Sequence, residues 1–496
     1  MADPQEPVPQ TSLCLGIAAD DLVRLRRHPL ITTLLKGRAA TVRREIALVD
    51  TAPRADSVLA EDGSRALIRA GWLCLNEGNE PLLLPWRANA APLPDVAALG
   101  ALEILAQGRV ERITLPLAEG RLQLERLDLA RGRQRQSIAV LRFEDMPAAK
   151  AAELALSLCR DFKPRLLGAP AVVPLASGLG LIALAPARAG EIPPMLPETD
   201  SAIAAACAIL RHCLAQFEAN IQAVLQGRDS EGVHQMRVAL RRLRSALDIF
   251  SPILPPSWLE TLIADLRWLN APLGKRRDLD VFVEETLQPL RAAEPGIKGL
   301  VHLQTLLDAR RQAAQEALLS ALASPRATQW LLRLQRLAAA SEAEALALLD
   351  PAQHEAALQP AIGFAAATLR QRRRKLKKLG ERHGELSVPE LHRLRIRAKK
   401  LRYATEFFRY LFAKKPVKFS AMALARLQDT LGALNDAAVG DELLGGILGA
   451  AGEDAAAAAI AGWFAARQSM QLSQLGPAWK AYIALKPYWR DALPQA

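Results

Sequence analysis

The chain has 496 residues, with 64 Lys and Arg against 52 Asp and Glu, a net charge of +12 and a hydrophobic fraction of 50%. This length supplies roughly two to four domains with their own cores and excludes a disulfide scaffold, a fibre or a disordered tail. The charge is uneven: residues 1–195 hold 24 basic and 22 acidic side chains and residues 196–496 hold 40 and 30, so the second part carries +10 and implies an anionic partner.

Residues 1–10 contain Asp3, Glu6 and several prolines where a signal peptide needs a basic start and an apolar run, so export is not expected. Residues 22–35 and 147–159 have helical spacing. Between and around them, 41–49, 66–75, 112–117, 121–127 and 136–143 are of strand length with partial alternation. Together they predict an α+β domain built on an antiparallel sheet. The uncharged stretch 166–187 is about the length of a membrane span, but three prolines and three glycines break it, and it reads as short strands and turns with no membrane helix. Pro186, Pro193, Pro194 and Pro197 then mark a linker, with a boundary near 195 and Thr199 or Ser201 capping the next helix.

After Asp200 the sequence is rich in Ala, Leu, Arg, Gln and Glu, with apolar residues three and four apart, and is predicted to be all helix. It contains a repeat. HQMRVALRRLRSALDIF, beginning at His234, lies without a gap over HRLRIRAKKLRYATEFF, beginning at His392, an offset of 158. The register persists through Leu273-Gly274 on Leu431-Gly432, Asp278 on Asp436 and Val281 on Val439. The expected organisation is a domain of residues 1–195 and a second of 196–496, the latter with two helical copies at about 200–345 and 355–496.

On a helix with His234 at zero, Arg241, Arg237 and Arg244 fall at about −20°, −60° and −80°, opposite Met236, Leu240, Leu243, Leu247 and Phe250. The second copy repeats the ridge with His392, Arg395, Lys399 and Arg402. Like charges at this spacing repel, and an anion lying along the ridge relieves the repulsion. Arginine offers planar paired donors to phosphate oxygens, and histidine adds a donor that titrates near neutrality. Arg242 and Lys400 extend the basic pattern, and Arg370, Arg374 and Lys378 share one face of the preceding basic run. Asp278, Asp280, Asn435 and Asp436 have the chemistry of magnesium ligands but read as helix caps or partners of nearby arginines. Residues 178–183 match a dinucleotide-binding pattern loosely, but Pro186 stands where its helix must start. No other cofactor motif occurs. His28, His212, His302, His354 and His383 lack ligand spacing, so neither a metal nor a cofactor is expected.

The repeated H-x-x-R-x-x-x-[RK]-[RK]-x-R pattern, with Leu-Gly and Asp downstream, resembles the CHAD domain, the conserved histidine α-helical domain, over about 200–470 including Gly462-Trp463. The resemblance implies two pseudo-symmetric four-helix bundles whose basic residues bind inorganic polyphosphate, and association with polyphosphate granules. It carries the ligand-facing role to His234, Arg237, Arg241 and Arg244 with His392, Arg395, Lys399 and Arg402, and Tyr403 matches the second motif. Polyphosphate has dense charge and no bases to stack. The low aromatic content, 5%, and the absence of aromatics from the first ridge weigh against single-stranded nucleic acid.

CHAD domains often follow a CYTH domain, an antiparallel β-barrel or tunnel that hydrolyses triphosphates. Residues 11–182 are similar to one in outline, through Leu15-Gly16-Ile17, the segment from Asp21 to Pro29, and Asp50-Thr51. The family's Glu-x-Glu-x-Lys is here Gln10, Ser12 and Cys14, which removes two anionic ligands and a cation. Residues 138–144 hold one carboxylate and 174–182 no basic residue, so a catalytically inert remnant is expected. The expected location is the cytoplasm, at polyphosphate granules, with no membrane partner. Residual triphosphatase activity, nucleic acid on the same basic surface, and a homo-oligomer remain as alternatives.

Overall fold

Backbone contacts divide the chain into two units, one of Met1–Arg188, Glu218–Gly232 and Leu322–Ala339, the other of Ala189–Phe217, Val233–Ala321 and Ala340–Ala496. The computed structural model describes residues 13–51, 72–77, 80–85, 102–167, 172–181, 187–195, 200–227, 230–297, 299–432 and 455–490.

The first unit is built on an eight-stranded sheet of β1 (Leu13–Ile17), β2 (Ala40–Thr51), β3 (Trp72–Glu77), β4 (Glu80–Pro85), β5 (Leu102–Pro116), β6 (Arg121–Arg131), β7 (Gln134–Glu144) and β8 (Arg165–Leu166). The order is β4-β3-β2-β5-β6-β7-β1-β8, antiparallel at each pairing. The predicted sheet is present; β2, β5, β6 and β7 run longer than the sequence pattern indicated, and the strand expected over 66–75 is seen as β3 from Trp72, residues 66–71 lying outside the described ones. Gly132, at φ 57°, makes the tight β6–β7 turn, a left-handed conformation that costs glycine little. On one sheet face Val110, Leu127, Leu129, Ile138 and Val140 pack with Leu175 and Leu179.

Two expectations are corrected here. The helix expected over 22–35 is two short ones, α1 (Asp21–Arg26) and α2 (Pro29–Leu34), because Pro29 forces His28 into an extended conformation. The stretch read as strands and turns contains a helix, α4 (Val172–Gly178). Pro174 is tolerated because it lies in the first turn, where backbone N–H groups have no helical acceptor. α3 (Ala148–Leu158) forms as predicted and buries Ala151, Leu154, Ala155 and Leu158. It packs on α11 (Pro325–Ala338), far along the chain. Ser324 caps α11 by accepting from the Ala327 amide, and Arg336 reaches Glu153 at 3.3 Å.

The second unit is helical. Ser201 Oγ accepts from the Ala204 amide at 3.2 Å and so caps α5 (Ala202–Ala219); Thr199 lies outside the described residues. α6 (Ile221–Gln226) follows in the chain and belongs to the first unit. The stretch Ala202–Gln226 has the length and composition of a membrane span, yet 61% of its apolar 18-residue window is buried inside the protein.

The repeat is visible in the element boundaries. α7 (Ser230–Phe250), a 3-10 turn (Ser251–Ile253) and α8 (Pro256–Phe282) begin 158 positions before α15 (Val388–Phe407), its 3-10 turn (Arg409–Leu411) and α16 (Lys414–Thr430). Pro252 and the Pro255-Pro256 pair end one helix and start the next in the first copy. In the second, Ser387 and Glu390 form a capping box. α14 (Ala361–Gly380) precedes α15, and its Phe364 ring stacks on Phe250 at 5.3 Å and meets Phe408 at 6.3 Å. Gly380 ends α14 where any Cβ would lie 2.2 Å from the Trp479 ring, so the helix end and that ring approach only through glycine.

Candidate functional site

Met236, Leu240, Leu243, Leu247 and Phe250 of α7 are fully buried. The other side of the helix is left half-buried at His234, Arg237 and Arg241 and exposed at Arg244. Arg237 is tethered: its Nη1 donates to Asp278 Oδ1 at 2.6 Å and to the Gly274 carbonyl at 3.2 Å, both on α8. One turn on, Arg241 Nε is buried with no hydrogen-bond partner. Burial makes the Arg241 guanidinium a weaker base than usual; Tyr403 opposes this, while the charges of Arg237, Arg402 and Arg277 add to it. Four guanidiniums from α7, α8 and α15 therefore act on one locus.

Arg242 is on another side of α7 and is not part of that locus. It donates to the Gln216 Oε1 at 2.6 Å, to the Gly190 carbonyl at 3.0 Å and to Glu406. Its counterpart Lys400 pairs with Asp248 at 3.1 Å, and Asp248 is the residue that the offset aligns with Glu406. The two ion pairs are thus reciprocal across α7 and α15. Burial alone would raise the Asp248 carboxyl, but hydrogen bonds and charge from Arg372 and Lys400 hold it below its ordinary value. The pairing accounts for both cations without a ligand.

In the second ridge His392 is exposed, and Arg395, Lys399 and Arg402 are half-buried; Tyr403 is buried against Phe407. The basic run on α14 splits. Arg372 pairs with Asp248 at 2.8 Å, and Arg373 donates to the carbonyls of Ile483 and Leu485 and lies over the Tyr482 ring. Arg370, Arg374 and Lys378 stay exposed.

Asp278 and Asp280 partner arginines, as expected: Asp280, fully buried, holds Arg276 at 3.0 Å and Arg311 at 2.8 Å. Asn435 and Asp436 lie outside the described residues. Among the described residues no three His, Cys, Asp or Glu side chains gather as a metal site. Arg277 has no place in the repeated His/Arg pattern. Its signal was the Lys275-Arg276-Arg277 run directly before Asp278, a pattern that charge counting alone treats as solvated surface.

In the first unit Cys14 stands opposite Arg142 in the β1–β7 register, and burial pushes its thiol up to about 11, against the pull of Arg142. Glu125, 1% exposed, is pinned between Arg112 and the Arg142 Nη2, the latter at 3.0 Å. Gln123 donates to Glu144 at 2.6 Å. The deeply buried Glu125 carboxylate is therefore already neutralised by two guanidiniums, an environment that disfavours a divalent cation. Gln10 and Ser12 lie outside the described residues.

A CHAD-domain family model matches residues 208–445. The crystal structure of the CHAD domain from the plant Ricinus communis is similar at 33% identity and a TM-score of 0.50, over 61% of this chain and 97% of that one. PptA from Streptomyces chartreusis is similar at 18% identity and a TM-score of 0.38, over 57% of this chain and 98% of that one. No curated protein matches. The helical repeat fits this likeness, and the chain belongs to the CHAD-domain family.

Proposed function

We propose that the protein binds inorganic polyphosphate through the cationic faces of α7 and α15. CHAD domains are linked in general to polyphosphate binding. The observation that carries the reading here is that the charges of Arg237 and Arg402 both act on Arg241, while among the described residues one ion pair, Arg237 to Asp278, neutralises any of the three. A dense, flexible polyanion matches such a surface by charge pairing and counterion release, so affinity falls as salt rises.

The equal spacing of the element boundaries and the reciprocal Arg242–Glu406 and Lys400–Asp248 pairs support two pseudo-symmetric helical bundles, each of four helices. The first unit is a degenerate CYTH-like domain that no longer hydrolyses triphosphates; Cys14 and the pinned Glu125 support this. Metal-dependent release of phosphate from tripolyphosphate by the purified protein would overturn that part. The protein works in the cytoplasm on polyphosphate granules by binding and targeting. Imaging of the tagged protein in cells with and without polyphosphate synthesis tests this, and foci that persist without the polymer contradict it. Competition separates polyphosphate from nucleic acid on the same surface: long-chain polyphosphate should displace DNA far better than the reverse.

A further inference from the structure

α16 packs against α15 and the helices Ala455–Ser473 and Leu475–Ile483, and buries Val417, Leu424 and Leu427. On its other side Lys415, Phe419, Met422, Arg426 and Asp429 are all exposed and fall within an arc of about 80°. Their spacing of four, three, four and three is that of a seam between two packed helices. Phe419 and Met422, at the middle of the seam, are 51% and 59% exposed. Single exposed apolar side chains are ordinary, whereas two large ones on successive turns of one seam form a patch that a partner can cover.

The repeat shows that the fold itself does not require them. Leu266 and Leu269 of α8 correspond to Leu424 and Leu427 by the 158-residue offset and are buried likewise, so the two helices share an inner face. On the outer face of α8, Glu260, Thr261 and Ala264 stand, exposed, where α16 has Lys418, Phe419 and Met422. One backbone position thus carries acidic and small groups in the first copy and basic and large apolar groups in the second. Internal packing gives no reason for that difference.

We propose that the outer face of α16 docks an acidic amphipathic helix of another protein. The proposal is independent of the polyphosphate reading, because none of these residues belongs to the ridges of α7 and α15. Lys414, Lys415, Lys418 and Arg426 border the apolar pair, with Asp429 as the one acid on the seam. Apolar side chains in the middle of the incoming helix and carboxylates toward its ends match that arrangement. A second copy of this chain does not. In an antiparallel pair centred on Met422, Lys418 faces Arg426, and in a parallel pair each lysine faces itself. A lipid surface suits a helix that is apolar along its whole length, whereas here the apolar part is one turn bounded by charge.

Fluorescence anisotropy on the full chain tests this with a labelled synthetic helix that carries Leu at the seam positions and Glu beside them. A version with Lys for Glu and a scrambled acidic peptide serve as comparisons. The protein should bind the acidic helix about tenfold or more tightly than the scramble, and Phe419→Ser with Met422→Ser should remove that advantage. Lys415→Glu with Lys418→Glu should move the preference to the Lys peptide, and Thr261→Ser with Ala264→Ser in the first copy should change nothing. Circular dichroism checks that each variant is folded. Sedimentation velocity and vesicles of phosphatidylcholine with phosphatidylserine test the other two occupants. An affinity for the acidic helix no better than for the scramble, or unaltered by Phe419→Ser with Met422→Ser, would overturn the proposal. Self-association or vesicle binding that those two changes abolish, with helix affinity untouched, would replace it with a second copy or a membrane.

Discussion

Phe250 and Phe408 stand at the same position in the two copies of the repeat, and their rings meet edge to face with centroids 5.9 Å apart. Both are fully buried at the ends of α7 and α15, so the two helices touch through equivalent residues. Each Phe→Ala change is expected to cost about 3–5 kcal/mol through lost burial and a residual cavity. The double change should show a coupling of about 0.5–1.5 kcal/mol beyond additivity, the range of an aromatic pair. Urea unfolding of the single and double variants measures it.

The reciprocal ion pairs should be unequal in worth. Arg242 and Glu406 are 13% and 20% exposed, and Lys400 and Asp248 are 48% and 41%. Glu406→Gln leaves a nearly buried guanidinium short of its charge partner and is expected to cost about 3 kcal/mol. Lys400→Gln breaks a screened pair and should cost about 1 kcal/mol or less. Denaturation at low and high salt separates them, because only the second should fade with salt.

Glu218, in the first unit, is half-buried with the Gln335 amide as its donor at 2.5 Å, and desolvation raises its carboxyl from 4.5 to about 7, against that hydrogen bond. The folded protein therefore holds a proton that the unfolded chain releases, so stability is highest below pH 4.5 as far as this group is concerned. It is lost as pH rises toward about 7, by about 3 kcal/mol in all. Glu218→Gln should remove that slope and leave the protein more stable than wild type at pH 8. A variant that is less stable at pH 8, with the slope intact, would contradict the assignment.

α11 contributes Trp330, Leu331, Leu334 and Leu337 to the buried interior of the same unit as α3. A fragment ending at residue 195 lacks that helix and is expected to show poor near-ultraviolet dichroism and no cooperative melting. In the full chain, Trp330→Ala should cost about 3–5 kcal/mol.

Much of the helical unit was legible because a repeat is a long-range signal: the offset from His234 to His392 predicts not only the ridges but the shared starts of the helices and 3-10 turns that follow. The face of each ridge residue also followed from helix geometry. What a wheel diagram cannot contain is the neighbour. Arg242 and Lys400 looked like further ligands because periodicity says nothing of Glu406 and Asp248 arriving from the other copy. Arg277 was invisible for the same reason. In the sheet unit, β6 runs four residues past the segment its pattern marked, because pairing with β7 continues through to Arg131 and Gln134. Glu125 drew no attention until Arg112 and Arg142 stood on either side of it.

The most direct measurement is polyphosphate retention by the full chain carrying Arg237→Gln, Arg241→Gln, Arg395→Gln and Lys399→Gln, compared with a chain carrying Arg133→Gln and Arg135→Gln in the exposed β6–β7 hairpin. The account predicts that the ridge variant loses long-chain polyphosphate while the hairpin variant, still folded, retains it. Equal retention by the two, or equal loss for each charge removed, would mean that net charge alone does the binding and that the paired helices have no special part in it.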